Sequence, residues 1–365
     1  MGFFDFSKKN ISNLSESIKS RWIFHTNGLI SDSKRNNNLV WKIDINSFEN
    51  FLAGLERRSG QSLGRRLAHS SSESEEWLIL DSKIKSNSSR NLMKWKDMKL
   101  DWEERGLGSF EVIGDDKDDI RILIKNPING PLCAGIFSAN WEHSTEIRHR
   151  FRWTHNSTEN LILSLSVDDL TIPAPKKASI NWHNENIISP IEDELFWDTL
   201  LVEENGYWSK MGIRRAMIHQ DLIIRFESYS LPYIDEIHEG RKYSSTWKGI
   251  DEKNSILWTI ISDTIREIFI NQGQHIFISN EQDWISVGRR HLSMHGLGSI
   301  NSVKSIDTFG GIEIYFSSCF HPAIFCGILS GCWERAYGCN VKSEFSVESN
   351  TNILKLIPLS EIVRV

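Results

Sequence analysis

Five cysteines (Cys133, Cys319, Cys326, Cys332 and Cys339) and twelve histidines carry the most readily recruited chemistry of this chain. A metal site needs thiolate or imidazole donors at spacings that let them converge. Cys326 and Cys332 are six apart, Cys332 and Cys339 are seven apart, and no Cys-x-x-Cys occurs. Neither spacing is the i, i+3 or i, i+4 with which one helix supplies two ligands. Cys319, His321 and Cys326 form the one fallback metal set, while buried free thiols are the expectation. His291 and His295 are four apart, but Gly296 follows at once. They read as the end of a helix, where imidazole suits the dipole. No Gly-x-Ser-x-Gly elbow and no Gly-x-x-x-x-Gly-Lys phosphate loop occurs, so no catalytic residue is assigned.

The remaining candidates recur in pairs. Gly106-Leu107-Gly108-Ser109 returns as Gly296-Leu297-Gly298-Ser299, and residues 120–165 match residues 312–357 without a gap. Gly135, Ile136, Ser138, Trp141 and Glu142 are identical to Gly327, Ile328, Ser330, Trp333 and Glu334. Five identities within eight residues indicate an internal duplication. Gly135 and Ala139, like Gly327 and Gly331, are four apart and share a helix face. Such small residues serve close helix–sheet packing or a ligand that approaches the backbone. Trp141 and Trp333 suit core anchoring or a pocket wall; a Glu after each reads as a solvated helix position.

Each copy must position these residues with a similar series of elements. Helices are expected over 48–67, 213–229 and 256–270, followed by the glycine turn. A strand then alternates Ile120, Ile122 and Ile124, or Ile312, Ile314 and Phe316. A helix over 133–146 or 325–337 and a closing strand pair complete the unit. The fold class is therefore α+β with a mainly antiparallel sheet, in two tandem copies packed as a pseudo-dimer. Residues 1–20 read as a flexible N-terminus, 21–168 as copy one, 169–190 as a Pro-containing linker around Pro173 and Pro175, and 191–365 as copy two. The Ser/Asn/Lys-rich segment 31–38 reads as mobile and Ser70–Glu76 as a surface loop.

This pattern resembles the 4-vinyl reductase domain family. Gly296-Leu297-Gly298 supplies its glycine turn, Ile312–Phe316 its strand, and Cys326-Gly327-Ile328-Leu329-Ser330-Gly331 with Tyr337-Gly338 its glycine helix; Glu344 sits near the family's Glu. Copy one resembles it more faintly through Gly106-Leu107-Gly108 and Gly135–Ala139. The resemblance implies an α+β unit that dimerises and holds a small hydrophobic ligand between helices and sheet. The fold is similar to that of vesicle-tethering subunits and phenol-sensor domains, and some members assist chlorophyll synthesis. Many members carry zinc on cysteines around the glycine helix and closing hairpin. Here Pro322, Val347 and Arg152 stand near the corresponding places, so neither zinc nor another cofactor is expected.

Copy two keeps both helix glycines, so the better pocket is expected there, lined by Phe316, Leu329, Gly331, Trp333, Ile265 and Phe269, with Glu344 as polar anchor. The leading expectation is a non-enzymatic binder of a small hydrophobic molecule, acting as sensor or carrier. The alternatives are a protein scaffold with filled pockets, partnered through the pseudo-dimer surface, and a chaperone or enzyme acting on a tetrapyrrole. Arg148-His149-Arg150-Phe151-Arg152-Trp153 interleaves bases with aromatics. However, 48 acidic residues against 42 basic give a net charge of −6, so a nucleic-acid partner is not expected. No apolar run approaches the ~20 residues of a membrane span. With an odd cysteine count, a cytoplasmic location is expected.

Overall fold

The computed structural model describes residues 13–82, 95–115, 119–157, 159–171, 175–184, 189–192, 196–203 and 206–359. Residues 1–12 of the expected flexible N-terminus and residues 172–174 and 185–188 of the expected linker lie outside them. The first series of elements is helix α1 (13–21), strands β1 (Trp22–Phe24), β2 (Ile30–Asp32) and β3 (Asn38–Asp44), and helices α2 (Ile45–Ser59), α3 (Gly64–Leu80) and α4 (Lys96–Arg105). It ends with β4 (Ser109–Asp115), β5 (Asp119–Lys125), α5 (Gly130–Thr145), β6 (His149–His155) and β7 (Asn160–Val167). The second opens with β8 (Leu200–Glu203), β9 (Tyr207–Lys210), β10 (Ile213–His219), α6 (Gln220–Ser230), β11 (Ser245–Trp247), α7 (Glu252–Asn271) and α8 (Glu281–His291). It closes with β12 (Ser302–Ser305), β13 (Ile312–Phe316), α9 (Pro322–Tyr337), β14 (Val341–Glu348) and β15 (Thr351–Pro358).

The architecture is α+β. One sheet has the order β4-β5-β7-β6, and a second has β12-β13-β15-β14 with β11 added in parallel at its edge. The segments around the two glycine turns thus share one strand order. The final hairpin departs from the gapless match by one residue. Ile120, Ile122 and Ile124 pair with Leu165, Leu163 and Leu161, whereas Ile312, Ile314 and Phe316 pair with Leu356, Leu354 and Asn352. The second hairpin is one residue shorter, and in a strand one residue decides which face a side chain takes.

Helices α5 and α9 begin alike. Asn129 Oδ1 accepts from Leu132 N–H at 3.1 Å, and His321 Nδ1 accepts from Ala323 N–H at 3.1 Å, each with proline in the first turn. The glycines that recur in the two helices serve helix–helix rather than helix–sheet contact. A Cβ on Gly135 would lie 2.1 Å from the Ala68 carbonyl of α3, and one on Gly327 would lie 2.5 Å from the Ser262 carbonyl of α7. The Trp–Glu pairs also have a local cause. Glu142 accepts from His149 N–H at 2.8 Å and Glu334 from Val341 N–H at 3.0 Å, so each buried carboxylate fastens the start of the next strand. These glutamates are therefore not solvated helix positions.

A third sheet joins the halves in the order β1-β2-β3-β10-β9-β8, with β3 and β10 antiparallel at its centre. The glycine turns dock on it reciprocally. Gly106 (φ 73°) and Gly296 (φ 77°) take the left-handed conformation that favours glycine. A Cβ on Gly106 would stand 2.3 Å from the Arg215 carbonyl of β10, and one on Gly296 would stand 2.5 Å from the Val40 carbonyl of β3. The hairpin turn of each half meets the other half's glycine turn, Gly28 against Gly298 and Gly206 against Gly108.

Several local expectations give way to this packing. Residues 213–219 are strand β10, not helix, because they pair with β3. The expected helix 48–67 is two helices broken at Gly60, itself left-handed. Ser70–Glu76 lies within α3 against α5, with Ser70, Ser71, Ser74 and Glu75 buried. Residues 13–20 are helical with Ile18 in the core, and the 31–38 segment buries Asp32 and Arg35. The described linker is docked: Trp182 stands 5.0 Å from the His321 ring and 6.1 Å from Trp258.

Candidate functional site

The residues expected to line one pocket separate into three groups. Phe316, Leu329 and Trp333 are fully buried packing residues; Phe316 stacks on Phe325 at 4.1 Å, and the Trp333 indole donates to the Gly310 carbonyl at 2.8 Å. Glu344 is on the outer face of β14, ion-paired with Lys248, so it is not an anchor beside the helices. Ile265 and Phe269 do face a cavity, and Gly331 supports it from behind: its Cβ would meet Phe269 Cδ1 at 2.8 Å.

That cavity, about 60 Å³, lies between the halves. The alternation of β3 turns Trp41 and Ile43 into it; α7 adds Ile265, Ile268 and Phe269, and α9 adds Ile328. Its polar end is His291, at the end of α8, and His295, just before the glycine turn. A wider polar cleft of about 650 Å³ shares this end and carries Asp44, Arg215, Gln272 and Asn50. The lining combines an apolar wall with a few convergent polar groups.

Both imidazoles are neutral near pH 7. Burial, then the charges of Lys42 and Arg215, pushes His295 down to about 3. Burial and Arg290 push His291 down to about 4. His295 Nδ1 lies 3.0 Å from the Lys42 carbonyl. A carbonyl only accepts, so Nδ1 carries the proton and Nε2 is left as an acceptor. His291 stands edge-on to Phe269 at 5.0 Å, and its Nε2 is buried without a hydrogen-bond partner among the described residues. Ser47 Oγ accepts from Gln272 Nε2 at 2.9 Å, tying α2 to α7 beside the opening. The i, i+4 spacing of this pair was visible in the sequence, but it read as a helix end rather than as a site. Their convergence depends on β3 of the other half, which local pattern does not reveal.

The corresponding place in the first half is filled by charge. Counting from the glycine turns, Asp101 and Arg105 stand where the second half has His291 and His295. Counting from the helix contacts at Ala68 and Ser262, Glu75 stands where it has Phe269. Arg35 pairs with Glu75 at 2.8 Å and Asp101 at 2.9 Å, and Arg105 pairs with Glu75 at 2.8 Å. Arg21 links this cluster to Asp32 at 2.6 Å, Asp101 at 2.8 Å and Glu104 at 2.7 Å. All these side chains are essentially inaccessible to water. Burial alone would raise the Asp101 carboxyl, but Arg35, Arg21 and Arg105 hold it well below its ordinary range.

The fallback metal set does not assemble as a site. Cys319 and Cys326 are buried thiols raised by desolvation, while the His321 ring faces Trp182, Trp258 and Glu227, whose Oε1 is 2.8 Å from its Nε2. Among the described residues, no group of three or more His, Cys, Asp or Glu side chains is placed to hold a metal ion. Nor is any helix among them long and apolar enough to cross a membrane. Arg150, from the basic–aromatic strand, is exposed and pairs with Asp168 at 3.0 Å. No protein-family model matches the chain, and no curated protein is significantly similar to it.

Proposed function

We propose that the protein is a non-enzymatic binder of a small molecule with an apolar end and a hydrogen-bonding end, held where Trp41, Ile265 and Phe269 meet His291 and His295. The observation that carries this reading is the His291 Nε2, a buried polar atom without a hydrogen-bond partner among the described residues, beside a largely apolar cavity. Buried polar atoms normally find partners, and a bound hydroxyl or carbonyl would supply one. The cavity takes only the end of such a molecule, with the rest in the polar cleft. The reading includes two tandem 4-vinyl-reductase-like halves packed as a pseudo-dimer, supported by the shared strand order and the β3–β10 pairing. It also includes a cytoplasmic setting, in keeping with the five unpaired cysteines.

Native mass spectrometry of the purified chain, followed by solvent extraction, tests this reading. A stoichiometric extra mass that is lost in His291→Leu supports it. A clean apo mass, with no binding from an extract of the source cells, favours a second reading, a protein-interaction scaffold. The ion-filled counterpart of the pocket in the first half is the observation that favours that alternative.

A further inference from the structure

The cavity opens into the polar cleft along a shared rim of Asp44, Ser47, Gln272, His291 and His295. Three guanidinium groups line the cleft, Arg57, Arg58 and Arg215, against two carboxylates, Asp44 and Glu267. Two of the three cations are already well paired. Arg57 meets Glu267 at 2.8 Å and Glu239 at 3.1 Å. Arg58 meets Asp263 at 3.1 Å and also pairs with Glu267.

Arg215 is not. It stands on β10 directly across from Asp44 at the end of β3. Its side chain lies on the cleft wall and is 17% exposed, so a solute in the cleft can reach it. Among the described residues its one charged partner is Asp44, at 3.5 Å, beyond the range of a good hydrogen bond. Asp44 is also engaged elsewhere, because its Oδ1 caps α2 by accepting from Ser47 N–H at 2.8 Å. A guanidinium presents its N–H groups as a planar fork that matches a carboxylate bidentately. One guanidinium that shares Asp44 suits a head group with a single negative charge. A phosphate monoester, with roughly two charges, would be repelled more strongly by Asp44.

We propose that the guest is an amphipathic monocarboxylic acid, with its apolar end in the cavity and its carboxylate on Arg215. This rests on the binding reading given above and adds the chemical class of the guest. The incoming carboxylate supplies the hydrogen bonds that Asp44 does not make. The apolar end passes the shared rim to reach Trp41, Ile265 and Phe269.

Hexanoate, 1-hexanol and hexyl phosphate carry the same chain on different head groups. Their affinities for the full-length protein are measured at pH 7 by titration calorimetry. Hexanoate should bind at least tenfold more tightly than either of the others, a comparison made on the wild type alone. Arg215→Gln should erase that preference. Asp44→Asn keeps an oxygen to cap Ser47 and removes the competing charge, so it should tighten hexanoate several-fold with no gain for 1-hexanol. A purely structural role for Asp44 would move both probes alike. Hexanoate no tighter than 1-hexanol, or weaker than hexyl phosphate, overturns the proposal while the binding reading stands on the probe that does bind. So does an extracted guest without a carboxylate. If none of the probes binds, the extracted guest decides: a carboxylic acid supports the proposal, and a clean apo mass sinks it together with the binding reading.

Discussion

Replacing Gly331 by leucine should close the cavity from behind. A Cβ at this position would already stand 2.8 Å from Phe269 Cδ1 and 3.0 Å from Phe269 Cβ. The ring must therefore swing away from α9, and it forms part of the cavity wall. Overpacking of this kind costs about 1–3 kcal/mol of stability. The loss in binding is worked separately. If the apolar end of the ligand amounts to two methylenes, their burial contributes ~1.6 kcal/mol. A hydrogen bond to His291 adds ~1 kcal/mol. Together these correspond to a fall in affinity of roughly 80-fold. The assay is titration of extracted ligand into purified wild type and variant, followed by native mass spectrometry, with urea unfolding to confirm that each variant is folded. Ala139→Leu, at the corresponding site of the first half, should leave affinity intact. Equal losses from both changes would mean a cavity shared more evenly than the geometry shows. Unchanged affinity in a folded Gly331→Leu protein would refute the placement of the ligand.

Three further outcomes follow from the packing and the charges. Gly135→Ala should destabilise the protein by about 2 kcal/mol in urea, because the atom it meets at 2.1 Å is a backbone carbonyl that cannot rotate away; a gain of ~1 kcal/mol, as helix propensity alone would give, refutes the close α3–α5 contact. Asp101→Asn should cost about 3–5 kcal/mol by leaving Arg21, Arg35 and Arg105 short of a buried countercharge, and a loss under ~1 kcal/mol would show that water reaches the cluster. Burial raises Glu142 to about 7 in the fold, so the unfolded chain releases this proton first and stability falls as pH rises from about 4.5 to 7; Glu142→Gln, which can still accept from His149 N–H, should flatten that window, and an unchanged slope in pH-dependent urea midpoints contradicts it.

Much of the fold was legible because one pattern appears twice. The alternation at Ile120–Ile124 and Ile312–Phe316, the glycine turns and the Trp–Glu helices all reported their elements locally. The errors arise where long-range pairing overrules local pattern. Ile213–His219 carries apolar residues at spacings that a helix also satisfies, and only its pairing with β3 makes it a strand. The serines of α3 disfavour a helix in isolation, but α5 packs against them and Ser71 returns its hydroxyl to the Leu67 carbonyl. Arg35 sits in a polar stretch that looks mobile and Arg21 follows another directly, and their partners Asp101 and Glu104 are distant in sequence. At the site, Ile265 and Phe269 were legible from the α7 stripe. Trp41, His291 and His295 were not, because the cavity wall is completed by the other half.

The reciprocal docking of glycine turns and hairpins has a consequence for symmetry and occupancy. A homodimer with this geometry must repeat any substitution in both of its equivalent sites. Joining the two units in one chain lifts that constraint. One location holds an ionic cluster that braces the central sheet, while its counterpart holds a small cavity. Under the proposed function, this asymmetry predicts one guest per chain, independent of protein concentration. Because each half supplies part of the other's wall, cutting the chain between residues 175 and 184 should yield two fragments that remain together.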